Sequence, residues 1–270
     1  MKNNKINQKK TVQNYYSKRA QEYDTQKTRT WKSKIGFSQL IIKEILEAIR
    51  KADSGLGLEV GIGSGRITFQ LSQKTSIHMV GVDISKEMLK LANKKAGKTH
   101  RSVDLVQADA EFLPFHSNSF TFLVCISTLH YFPSPKSTLT ELCRVIHANG
   151  IFIIGDITLH EEDSEGFMEK LEKAISPAHK KYFKPSEMKE LLKSHGIKLE
   201  KLMTVPYKKT YKALWEDKAK YFNIKPKCLY EILATATPKE KGLYEIGLKD
   251  MKLFYTLIVG RIFKIRRLFS

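Results

Sequence analysis

The stretch "LGLEVGIGSGRIT", residues 56–68, limits the fold of this chain more than any other. A short apolar run leads into glycines at 61, 63 and 65, and a helix is expected over residues 66–73. A glycine turn between a strand and a helix passes through backbone conformations closed to other residues and lets N–H groups approach a ligand. The same alternation then repeats. "HMVGVD" (78–83) precedes "SKEMLKLANKKAG", where Met88, Leu89 and Ala92 share one helix face and Gly97 suits the helix end. "VDLVQAD" (103–109) and the almost wholly apolar "FTFLVCIS" (120–127) read as the third and fourth strands. A helix follows from about 135 to 148, then a fifth strand, "GIFIIGDI" (150–157). Apolar strands alternating with amphipathic helices imply a parallel sheet covered on both faces, an α/β doubly wound fold. Ligands of such sheets bind beyond the carboxyl ends of the strands, where this glycine turn lies.

After residue 157 the rhythm breaks, and charge marks the break. Lys and Arg outnumber Asp and Glu by 12 to 4 over residues 1–50, by 11 to 9 over 51–157 and by 24 to 15 over 158–270, so the net +19 lies almost wholly outside the centre. Such a surface either attracts nucleic acid, anionic lipid or an acidic small substrate, or is a solvated Lys-rich face. Lys far outnumbers Arg, the better residue for forked phosphate recognition. The three cysteines, Cys125, Cys143 and Cys228, have neither metal-ligand nor redox spacing and read as reduced thiols. No run of about 18 apolar residues suggests a membrane span, and the polar start "MKNNKINQKKTVQNYY" does not resemble a secretory signal. A cytoplasmic location is expected.

The glycine turn is not a P-loop, since no Gly-Lys-Ser/Thr follows it. It is a poor dinucleotide turn as well, because Arg66 stands where a third glycine would allow close helix–strand packing. The acids at the strand ends are more informative. Asp83 ends the second strand, where a carboxylate accepts from both ribose hydroxyls and repels a 2′-phosphate. Asp109 ends the third, placed to accept from an adenine amine, with the backbone N–H of Ala110 beside it. Glu59, next to the glycines, would repel a pyrophosphate and welcome a cation. Together they describe a nucleoside that is positively charged and carries no phosphate. S-adenosylmethionine is such a molecule.

"LEVGIGSGRIT", "VGVDISKEMLKLA", "VQADAEFLPF", "FTFLVCISTLHYF" and "ELCRVIHANGIFIIGD" resemble, in order, the motifs of class I S-adenosylmethionine-dependent methyltransferases. The resemblance is nearest to the subgroup of quinone- and sterol-type C-methyltransferases, and "YYSKRAQEYD" (15–24) is similar to its N-terminal helix. It implies a mostly parallel seven-stranded sheet with helical lid inserts, "IKLEKLMTVPY" as sixth strand and "LFYTLIVGRIF" as an antiparallel last strand. It also implies an enzyme with S-adenosyl-L-homocysteine as product. By position it places Gly61, Gly63 and Gly65 at the methionine part, Glu59 near its amino end and Asp83 on the ribose, with Ile84 on the adenine face. Asp109 and Ala110 fall at the adenine edge, Ile126 near the sulfonium, and Tyr15 or Tyr23 over the cofactor.

The organisation expected is an N-terminal helical lid (1–50), a cofactor-binding core (51–157) and the rest of the sheet (158–270) with lid inserts at about 158–184 and 208–250. His130, in "STLHYF", is the candidate base, against the alternative of a packed or backbone-bonded histidine. Asp156 could contact substrate or only start a turn. Tyr182, Phe183, Trp215, Tyr221 and Phe222 could line a substrate pocket or form plain core. No Asn/Asp-Pro-Pro-aromatic motif follows the fourth strand and no Pro-Cys occurs, which disfavours nucleic-acid bases as acceptors and leaves a small molecule as the first choice. An RNA or protein acceptor held by the basic segments, and a non-catalytic binding module, are the alternatives. The basic, apolar end "RIFKIRRLFS" could contact anionic lipid or be a solvated tail.

Overall fold

A computed structural model describes residues 2–32, 35–50, 55–96 and 103–263. Gly97 and the basic tail from 264 onward lie outside the described residues. Seven strands form one sheet in the order β3-β2-β1-β4-β5-β7-β6. β1 (Leu56–Val60), β2 (His78–Asp83), β3 (Val103–Gln107), β4 (Phe120–Ile126) and β5 (Ile146–Thr158) are parallel. β7 (Asp250–Ile262) runs antiparallel between β5 and β6 (Ile197–Thr210). The chain winds outward from β1 to β3, then returns to the other side of β1 with β4. Between β1 and β4 lies the crevice that the topology opens to a ligand.

Ten α-helices surround the sheet among the described residues: α1 (Lys2–Lys32), α2 (Ile35–Ile49), α3 (Arg66–Lys74), α4 (Lys86–Ala96), α5 (Pro135–Val145), α6 (Phe167–Ile175), α7 (Pro185–Lys193), α8 (Tyr211–Asp217), α9 (Pro226–Ala234) and α10 (Pro238–Leu243). β4 is apolar apart from Thr121 because it is buried on both sides. Its Phe122 and Val124 pack with Ile41 and Ile45 of α2 and Leu71 of α3, whereas Leu123 and Cys125 pack with Leu139 and Leu142 of α5 and Met188 of α7. Truncating one such side chain, Leu123→Ala for example, costs about 2–5 kcal/mol.

β5 starts earlier than the sequence suggests. α5 stops at Val145, and β5 meets β4 at Phe120↔Ile146 before an irregularity restores the ladder at Phe122↔Ile151. Asn149, with φ 63°, supplies the left-handed step in between. β3 stops at Gln107, because Asp109 turns to bridge Phe112.

The β6–β7 pair outreaches the sheet. β7 pairs with β5 only from Phe254 onward, while Asp250–Leu253 pair with β6 alone. That overhang carries α8–α10. With α6 they bury a separate core of Phe167, Leu171, Leu214, Leu229, Tyr244 and Leu253 beyond the strand ends. Both inserts therefore sit on the carboxyl rim of the sheet, beside the crevice.

Candidate active site

The chain leaves β1 in a tight turn over the end of β2. The N–H groups of Gly61 and Ile62 both donate to the Val82 carbonyl, at 2.8 and 3.0 Å. Gly61, Gly63 and Gly65 have φ of 73°, 54° and 77°, the left-handed region. At Gly61 a Cβ would stand 2.3 Å from Thr128 Oγ1, so neither the conformation nor the space admits a side chain.

The buried Glu59 carboxyl accepts from the Thr68 N–H at 2.9 Å and from the Thr68 hydroxyl, fastening the first turn of α3 to β1. Burial pushes this carboxyl up to about 7, against the pull of the Thr68 bonds. Asp83 accepts from Gly63 N–H and Ser85 N–H, both at 2.8 Å, and burial pushes it to about 6 in spite of those bonds.

A cavity opens above these groups. Its empty volume is about 1000 Å³ with the open mouth included. Glu59, Gly61, Gly63, Asp83 and Ile84 line it from the first two strand ends, and Asp109, Ala110 and Ile126 from the next two. α1 forms the opposite wall with Lys9, Val12, Tyr16 and Tyr23. Lys9 bridges Asp109 at 2.5 Å and Glu111 at 2.8 Å. Burial works to lower its pKa, but those two carboxylates raise it on balance. Gln13 donates to the Ile84 carbonyl at 3.2 Å and Ser17 to Glu87 at 2.7 Å, so one helix is tied to the ends of β2 and β3 and to the start of α4. Ser127 lines the cavity with φ 55°, an unfavourable conformation held by its N–H bond to the Gly155 carbonyl at 2.7 Å.

His130 lies one ring further out. Its backbone N–H and its Nδ1 meet the two oxygens of Asp156 at 3.0 and 2.7 Å, while its buried Nε2 has no hydrogen-bond partner. Its ring centre is 4.0 Å from that of Tyr131, which lines the cavity; His130 does not.

A methyltransferase-domain family profile matches residues 58–154. The uncharacterized protein MJ1123 of Methanocaldococcus jannaschii is 32% identical over 186 residues, 68% of this chain and 82% of that protein. The chain belongs to the class I S-adenosylmethionine-dependent methyltransferase family. The ubiquinone/menaquinone biosynthesis C-methyltransferase UbiE of Rickettsia peacockii is 30% identical over 172 residues, 61% of this chain and 66% of that one. The crystal structure of YcgJ from Bacillus subtilis superposes with a TM-score of 0.71 at 21% identity, covering 84% of this chain and 99% of that one, and shares the fold. The chain spans only 44–56% of the length of several further curated relatives.

Two expected cofactor contacts of this methyltransferase are absent from the cavity wall. Tyr15 is fully buried elsewhere, stacked on Phe222 with ring centres 5.2 Å apart and bonded through its hydroxyl to Arg19 at 2.6 Å. Adjacent helix residues point about 100° apart, and Tyr16 takes the place at the cavity instead. Gly65 serves the turn into α3: a Cβ there would lie 2.1 Å from Phe69. The aromatic residues of the inserts are core, not pocket. Tyr182 is buried with the insert helices and Phe183 with the sheet, Trp215 donates to the Ile224 carbonyl at 2.7 Å, and Tyr221 and Phe222 pack on Tyr15. Asp156 holds His130 rather than starting a turn. Sequence reasoning passed over Lys9 and Ser127. Lys9 is one of several lysines near the start, with no local pattern to single it out, and a left-handed serine leaves no trace in composition.

Proposed function

We propose that this methyltransferase passes a methyl group from S-adenosylmethionine to a small-molecule acceptor. The observation that carries this reading is the pair of carboxyls, buried Glu59 and half-buried Asp83, lifted by desolvation to about 7 and 6 at the wall of one cavity. A ligand with a cationic sulfonium and ammonium relieves that cost, and a pyrophosphate would add to it. The residues fit the donor. Asp83 would take the ribose hydroxyls, its unused lone pairs remaining free for them. Ile84 would cover the adenine, Asp109 with Ala110 N–H would address its edge, and Gly61 and Gly63 would admit the methionine part. Glu59 would act near the amino end, and Ile126 would flank the sulfonium.

When bound, the donor supplies an activated methyl, and the transfer is an in-line displacement that leaves S-adenosyl-L-homocysteine. The protein then has to position both partners and exclude water. α1 supplies that cover, with Tyr16 and Tyr23 over the cavity. Where the acceptor keeps a proton, His130 takes it. Asp156 holds the ring proton on Nδ1, which leaves a lone pair on Nε2. Tyr131, which lines the cavity with its ring centre 4.0 Å from that of His130, is placed to relay the proton. A relative named for quinone biosynthesis supports a small acceptor.

Two measurements test the reading: calorimetric binding of S-adenosylmethionine, and transfer of label from the methyl group to fractionated acceptor pools. Binding together with label in a low-molecular-weight product is expected. Binding of NAD in place of the donor, or label carried only into RNA or protein, would overturn it.

A further inference from the structure

Beside His130, the first insert places a second imidazole. His179 has a fully buried side chain, and its segment is tied to His130 through the backbone: the N–H groups of Lys180 and Lys181 donate to the His130 carbonyl at 2.9 and 3.3 Å. The two imidazole ring centres are 5.8 Å apart. Each ring has one nitrogen fixed by a carboxylate. His130 Nδ1 meets Asp156, and His179 Nε2 meets Glu169 at 2.9 Å. Glu169 is itself positioned by the Tyr182 N–H at 2.8 Å.

The opposite nitrogens, His130 Nε2 and His179 Nδ1, are both buried and both lack a hydrogen-bond partner. Ser176 Oγ, three residues before His179, is buried without a partner as well. Buried polar atoms are nearly always satisfied, and three orphans on two adjoining segments call for something not supplied by the chain. Burial also pushes the His179 pKa down, against the pull of Glu169 and Glu172, which favours the neutral ring. A neutral imidazole whose N–H is given to a carboxylate presents a lone pair, not a donor, on its other side.

We propose that His179 is a second substrate-contacting residue, and that with His130 it accepts hydrogen bonds from a hydroxyl or amine of the methyl acceptor. Two unpaired lone pairs on rings whose centres are 5.8 Å apart select a group with N–H or O–H to give, and reject a carboxylate or phosphate. The inference rests on the methyltransferase reading above and narrows its acceptor to protic nucleophiles. The proton lost on methylation ends on His130 Nε2.

The full chain labelled with ¹⁵N in its histidines, with S-adenosylhomocysteine added, tests this by long-range ¹H–¹⁵N correlation. His130 is expected as the Nδ1–H tautomer and His179 as the Nε2–H tautomer. Catechol as probe is expected to shift His130 Nε2 and His179 Nδ1 together, and its dimethyl ether to shift neither. A reversed tautomer at either ring, no response to catechol, or an equal response to the ether overturns the proposal. These signals do not depend on turnover, so failure of the donor to bind counts against the methyltransferase reading alone.

Once label transfer identifies an acceptor, His179→Ala is expected to lower kcat/KM by roughly tenfold, mainly through KM, with donor affinity unchanged. His179→Asn, whose amide oxygen can stand in for Nδ1, should restore most of the loss. Unchanged kcat/KM in His179→Ala overturns the assignment. Should that variant not fold, His179→Asn and the tautomers of the unmodified chain decide the matter.

Discussion

The two walls of the cavity are built in opposite ways. The wall at the strand ends is local: Glu59 meets Thr68 nine residues on, and Asp83 meets Ser85 two residues on. The wall facing it is assembled over long distances. Lys9 reaches Asp109 across 100 residues, Gln8 donates to the Ala178 carbonyl at 2.6 Å across 170, and Lys220 meets Glu22 across 198. A local wall is fixed as soon as its strands pair. A wall of distant, mostly polar ties stays separable from the sheet, because exposed ion pairs contribute little each. The donor half is therefore rigid and the cover adjustable.

The sharpest way to break this contrast lies at the junction of the halves. His130→Ala is expected to reduce label transfer by about 10²–10⁴-fold while leaving donor affinity intact, provided the acceptor must lose a proton. Equal loss of donor binding in calorimetry would mean that the ring belongs to the rigid wall. Next in size is Asp83→Ala, which removes the acceptor of two loop N–H bonds and of the ribose. Donor affinity should fall by about 1–3 kcal/mol, roughly 5- to 150-fold.

A third test uses pH. Glu59 and Asp83 are held above their ordinary carboxyl values, so their favourable contribution to the ligand-free fold belongs to the protonated forms. It is complete near pH 4 and is lost as pH rises through about 6 for Asp83 and about 7 for Glu59. A cationic donor reverses the preference. The gain in Tm on adding S-adenosylmethionine should therefore be larger near pH 8 than near pH 5.5 in thermal-shift titrations, and a flat profile would remove the electrostatic argument.

The smaller effects belong to the cover. Lys9→Met should weaken donor binding by only about three- to tenfold and speed its release in stopped-flow measurements, since Asp109 and the loop remain. Glu22→Gln, which removes the charge that meets Lys220 and Tyr221, should change kcat/KM by less than about twofold, an effect erased by added salt. A large effect of Glu22→Gln on donor affinity would show that the two walls are not separable.

The same contrast explains what the sequence disclosed. The strand order, the glycine turn and the acids at 59, 83 and 109 are legible because each depends on near neighbours and on a period of apolar residues. The direction of Tyr15 was not, since a one-residue difference on a helix decides between cavity and core, and Phe222, its stacking partner, is more than two hundred residues away. The five insert aromatics could have been pocket or core by composition, and only tertiary packing divides them among the sheet core, the insert core and the cluster around Tyr15. Lys9, Glu169 and His179 were invisible for the same reason: their partners lie in other segments, and nothing in their surroundings marks them.

α1 contributes Tyr16 and Tyr23 to the cavity and Tyr15 to the packing on the second insert, all within three turns of one helix. It cannot swing off one surface and stay seated on the other. Whatever occupies the donor space and whatever sits beneath the inserts thus lean on the same helix, so a change at one is felt at the other through α1.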